Sequence, residues 1–130
     1  MVTLIRQRAT GDCGVAALAT LVSATRSYDD VARAVATVDP ERVGVCGLTQ
    51  RQLLAVARRL GLQLQARRRF DLDSEEGLLR VYSEGHHHCG HWVAVRYRLV
   101  WDPNDTFQQP WREYLVRHGA RVGTLLEGAV

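Results

Sequence analysis

Lysine is missing altogether: every one of the 17 basic side chains in the 130 residues is an arginine. That absence excludes a Schiff-base lysine and the phosphate-binding lysine of a P-loop, and with them two large groups of enzymes. Cysteine is scarce and odd in number, with only Cys13, Cys46 and Cys89 and no CxxC spacing. A secreted, disulfide-stapled domain is therefore not expected; a reduced chain with one working thiol is. No apolar stretch approaches the roughly 20 residues that span a bilayer, the longest being Val15 to Val22. The opening MVTLIRQ has no basic segment followed by a long apolar one. No signal peptide and no direct membrane insertion are expected, and the cytoplasm is the expected compartment. The one basic cluster, Arg67 to Arg69, has no aromatic interleaving, and the net charge is only +3. A nucleic-acid partner is not expected, and the cluster reads as a solvated strand or loop.

What is present is the balance of an ordinary globular chain, 46% hydrophobic and 24% charged. The length suits one domain, residues 1–130, with a real core. After a short lead-in with an extended piece at VTLIR, apolar residues at Val15, Leu18, Ala19 and Val22 predict a helix, with Asp12 as its cap. A second helix is expected over Tyr28 to Val38, entered through Ser27 and closed before Pro40. Thr49 and Gln52 form a capping box for a third, which Gly61 ends. LQLQARR predicts a half-buried strand, followed by strands at LLRVY, HWVAV and RLVWD, with a tight connection near Tyr97. A short helix from Pro110 to His118, ended by Gly119, and a last strand at ARVGTLL complete the chain. Helices first and an antiparallel sheet second make an α+β plan, with any site between the two layers.

Within QRATGDCGVAALATL, Gln7 to Leu21, Cys13 stands at the mouth of the first helix, where a structural cysteine would sit deeper. Only the thiolate attacks, and a free thiol ionises near 8.5. The positive end of a helix lowers that value, as does an imidazole that takes the proton. Gly14 leaves the next amide approachable.

Of five histidines, His118 is expected to face solvent, and His86, His87 and His88 to lie in a loop. His91 opens a strand that would hold its ring rigid. The next strand ends at Asp102, before Pro103. A turn at residues 96 and 97 would set His91 opposite Asp102 and Trp92 opposite Trp101, β-carbons about 5 Å apart. The carboxylate could then fix the imidazole tautomer that faces the sulfur. Acyl transfer through a thiolate also needs donors for the developing oxyanion. The Gln7 side-chain amide and the Cys13 backbone N–H would serve.

These residues bring a family into view. Gln7, DCGVAALATL from Asp12, GLTQRQLLAVARRLGLQLQA from Gly47, GHWVAV from Gly90 and VWDP up to Pro103 occur in order over nearly the whole chain. Taken together the chain resembles the C39 peptidases, papain-like cysteine proteases usually found as the N-terminal domain of bacterial ABC exporters. The resemblance implies a papain-like α+β fold, with N-terminal helices packed on a C-terminal antiparallel sheet. It implies Cys13 as nucleophile, His91 as general base and acid, Asp102 as its orienter and Gln7 as oxyanion donor. It further implies a peptide or protein substrate, no cofactor, and cleavage of a leader peptide after Gly-Gly. The chain is expected to stand alone, so an ABC exporter would be a separate partner.

Two rivals use the same residues: a cysteine amidase or deamidase acting on cell-wall peptides or glutamine, and a non-hydrolytic peptide-binding module. A third is metal binding by His86, His87, His88, Cys89 and His91, though strict zinc spacings are missing. Trp92 and Trp101 are expected in the core.

Overall fold

The computed structural model of the chain describes residues 2–6, 13–38, 48–83, 90–105 and 107–128. The first helix, α1 (Cys13–Leu21), is buried along its whole length. Its small residues Ala16, Ala17 and Ala19 let the backbone come close to its neighbours, and Gly14 does the same at its start. A β-carbon on Gly14 would lie 3.3 Å from a Leu53 methyl. Asp12, the expected cap, lies outside the described residues. The second helix, α2 (Tyr28–Val38), buries only Val31, Ala34 and Val35, a narrow amphipathic stripe. Ser27 and Asp30 cap it reciprocally, each side chain accepting from the other's backbone N–H. The third, α3 (Gln50–Arg59), has the expected capping box between Thr49 and Gln52.

The strands are β1 (Gln65–Arg67), β2 (Gly77–Tyr82), β3 (His91–Arg96), β4 (Leu99–Trp101), β5 (Gln109–Pro110) and β6 (Arg121–Glu127). They form one antiparallel sheet in the order β1-β6-β2-β3-β4-β5. LQLQARR was expected to make a half-buried strand. Only Gln65–Arg67 is a strand, and that edge strand β1 is exposed rather than half-buried, while Leu62 and Leu64 reach the core from the connection before it.

Burial of β2 and β3 on both faces explains their apolar runs. On one face Leu78, Trp92, Ala94, Trp101 and Leu126 meet α1, α2 and α3. On the other, Leu79, Val81, Val93, Val95, Val100 and Leu125 meet Tyr114 of the last helix, α4 (Trp111–His118). Gly119 closes α4 in the left-handed conformation, as its position predicted. The helices-plus-antiparallel-sheet plan is therefore present, with α4 as an added layer on the far face.

The β3–β4 turn corrects one expectation. Observed partners are Ala94 with Trp101, Val95 with Val100 and Arg96 with Leu99. The turn is at Tyr97 and Arg98, one residue later than predicted, with φ of 56° and 65°. Two left-handed residues make this a type I′ geometry, normally the province of Asn and Gly. The cost, about 1 kcal/mol or more per residue, opposes the fold locally. Arg98→Gly should therefore raise the urea midpoint by an amount worth about 1 kcal/mol. Its ion pair with Asp73 is too exposed to offset that. A lowered midpoint would count against strain at this turn.

Candidate active site

Cys13 is the first residue of α1 and is 8% exposed. Its sulfur bonds the His91 ring and receives the backbone amides of Gly14 and Trp92. α1 lies against β3, so the helix start and the strand start meet. Gly90, at φ 72°, turns the chain into β3; a β-carbon there would strike Arg80 and Tyr82. His91 follows at once, 3% exposed. Trp92 secures the strand beside it, donating its indole N–H to the Leu48 carbonyl at 3.3 Å.

His91 Nε2 meets Asp102 Oδ1 at 2.7 Å, and both side chains are buried. Nδ1 is then the ring nitrogen left for sulfur. The register predicted for this contact was wrong, yet the contact exists. The error was two residues, one full pleat, which leaves every side chain on its own face. Asp102 lies just past β4 and meets His91 as a diagonal neighbour. The Asn104 amide donates to Oδ1 at 2.8 Å and the Asp105 amide to the Asp102 carbonyl at 2.9 Å. Asp102 is thus a turn former and the partner of His91 together.

The charges follow from these contacts. Burial pushes the Cys13 thiol up, but the hydrogen bond and charge of His91, with the two amides, hold it below its ordinary value. Burial also works against a charged His91; bonds to Asp102 and Cys13 reverse that and raise it to about 9. Burial pushes the Asp102 carboxyl up, while His91, Tyr114 and the Asn104 amide bring it down to about 2. These contacts favour the thiolate and imidazolium forms of the pair, with the carboxylate ionised behind them.

A stability consequence follows for Asp102. Between its usual 3.8 and about 2, the unfolded chain binds the proton and the native chain does not. Its contribution, on the order of 2 kcal/mol, is complete above the usual value and lost as pH falls through about 2. His91's contribution, present below 6.5, is lost as pH rises through about 9; the lowered Cys13 acts with opposite sign. Urea midpoints should drop steeply between pH 4 and pH 2. An unchanged midpoint there would contradict the ionised, buried Asp102.

Gln7 lies outside the described residues, as do His86, His87, His88, Cys89 and Cys46. His118 departs from its expected exposure. It folds back against the Tyr114 ring, centroids 4.4 Å apart, with Nε2 3.4 Å from Asp105. Among the described residues, ligand atoms of Asp102, Asp105 and His118 lie within 4.8 Å of one another. Protein hydrogen bonds already engage both acids, since Asp105 accepts from Gln109 at 2.8 Å.

Sequence reasoning missed Tyr114, whose hydroxyl donates to Asp102 Oδ2 at 2.5 Å. The available signal was weak: an aromatic with a polar tip on a short helix, whose buried hydroxyl must find an acceptor.

No family model and no curated protein matches this chain. Among solved structures it is similar to the peptidase domain of Streptococcus ComA, a bi-functional ABC transporter involved in a quorum-sensing pathway. The TM-score is 0.63 at 15% identity, covering 96% of this chain and 98% of that one. The likeness is one of fold: the chain has the papain-like α+β fold of that peptidase domain.

Proposed function

We propose that this chain is a single-domain cysteine peptidase whose nucleophile is Cys13. The observation that carries the reading is the buried, contiguous row from sulfur through the His91 ring to the Asp102 carboxylate. In the proposed cycle the thiolate attacks the scissile carbonyl and forms the carbon–sulfur bond. The His91 imidazolium then protonates the leaving amine as the carbon–nitrogen bond breaks, giving a thioester. Neutral His91 next takes a proton from water, whose oxygen attacks the thioester. The acid product leaves and the sulfur returns as thiolate. Asp102 keeps the ring in one tautomer throughout. The Cys13 backbone N–H and the Gln7 amide are the proposed oxyanion donors.

The likeness to the peptidase domain of an ABC transporter supports a peptide substrate and a transporter partner; a leader peptide cut after Gly-Gly, with the exporter as a separate partner, comes from the resemblance in sequence. Among the described residues no helix is long and apolar enough to cross a membrane; a cytoplasmic site of action is part of the proposal. The test is a panel of leader peptides with and without Gly-Gly, alongside muropeptides and glutamine peptides, with acyl adducts sought at Cys13 by mass spectrometry. Hydrolysis of a peptide bond with a Cys13 thioester is the expected result. Turnover of muropeptides or glutamine alone would move the assignment to an amidase; binding without adduct or product would overturn the hydrolase.

A further inference from the structure

A carboxylate on one side-chain torsion has a broad, two-fold rotamer well, so a bond to one oxygen does not by itself set its plane. Asp102 is held at both oxygens. Oδ1 accepts from His91 Nε2 and from the Asn104 amide, and Oδ2 accepts from the Tyr114 hydroxyl. Tyr114 is itself fixed. It is 1% exposed, packs in the core between the sheet and α4, and has the His118 ring tilted against its own, with His118 Nε2 3.4 Å from Asp105.

We propose that Tyr114 is a positioning residue for the Cys13–His91–Asp102 row, its hydroxyl holding the Asp102 carboxylate in the plane that presents Oδ1 to His91. The inference rests on the peptidase reading and adds to it a helix from the far face of the sheet. Removing the hydroxyl leaves Oδ2 buried beside an apolar ring edge, where an unpaired charged oxygen is costly. The carboxylate then turns toward whatever donors or water it can reach, and the tautomer lock on His91 loosens. The charged and titratable groups facing Asp102 are His91 from β3, Tyr114 and His118 from α4, and Asp105 from its own loop. The Tyr114 hydroxyl bonds the ionised carboxylate more strongly than the neutral acid, so its removal favours protonation of Asp102 and weakens the row first on the acid side.

The test uses the full chain and 2,2′-dipyridyl disulfide, a thiol probe that reacts in acid, with the Cys13 adduct read by peptide mass spectrometry. Rates are compared across pH for wild type, Tyr114→Phe, Asp102→Ala and the double variant. In Tyr114→Phe the acid limb should move up by about one pH unit, a tenfold loss on that limb, with little change near neutrality. In the Asp102→Ala background the same substitution should change nothing further. An equal slowing at every pH, or the same factor in both backgrounds, overturns the positioning role and leaves the Cys13 reading intact. A wild-type thiol that reacts no faster than a free cysteine overturns both. Should Tyr114→Phe not fold, ring-labelled tyrosine in the wild type decides by NMR. A slowly exchanging Tyr114 hydroxyl proton close to the His91 ring supports the proposal, and one exchanging as fast as that of the exposed Tyr97 overturns it.

Discussion

Cys13→Ala should abolish peptide hydrolysis, a loss of about 10⁴-fold or more, while the chain remains folded. Each half of that expectation has its own cause. Without sulfur there is no thioester, and the remaining groups can only polarise a bound carbonyl. The fold should survive because alanine is the best helix former and the site lies at the first position of α1, where a small side chain fits. Removing the thiolate also leaves His91 paired with Asp102, so no buried charge is orphaned. The checks are turnover of the peptide that wild type cleaves and a thermal midpoint within a few degrees of wild type. Retained turnover would remove Cys13 from the mechanism. A collapsed midpoint would make it a core residue.

His91→Ala should act differently, on the charge of the sulfur. What lowers the thiol most is the ring of His91, against the opposing pull of burial. With the ring gone, burial and two backbone amides remain, and the thiol moves up to or above its ordinary range. At pH 6.5 a thiol in its ordinary range is only about 1% ionised, so the thiolate fraction falls by up to about 100-fold from full ionisation. Alkylation of Cys13 by iodoacetamide should slow by that factor near neutrality and recover at high pH. Stability should fall as well, by roughly 3 kcal/mol, since Asp102 loses the cation it was buried against. Labelling is therefore compared at a temperature where circular dichroism shows the variant folded. Unchanged labelling at pH 6.5 would mean that the helix end alone ionises Cys13, leaving His91 without its proposed role.

Local signals located most of the elements because each is written within a few adjacent residues. Thr49 and Gln52 lie one turn apart, and their reciprocal bonds depend on nothing distant. Gly119 ends α4 for a similarly local reason. The turn after β3 was harder. Tyr97 and Arg98 carry no sign of a left-handed conformation, and only the packing of Val93, Val95 and Val100 selects that register over its neighbour. β1 was misjudged because Leu62 and Leu64 alternate like a strand, yet bury themselves from a connection. Tyr114 was invisible for the same class of reason. Its partner is twelve residues away across a loop, and no periodicity links a helix position to a strand end.

Read alone, the amino-acid order determined the two kinds of secondary structure, their order, and the placing of a thiol at a helix start and an imidazole at a strand start. These are properties of short segments, dictated by backbone sterics, capping and the spacing of apolar side chains. Only the tertiary structure decided that sulfur, ring and carboxylate form one row, that its contacts favour the charged form of each, and that a phenol holds the last of them. Proximity across ten or a hundred residues is set by how layers pack, and ionisation by how far that packing excludes water. Neither quantity exists until the chain has closed on itself.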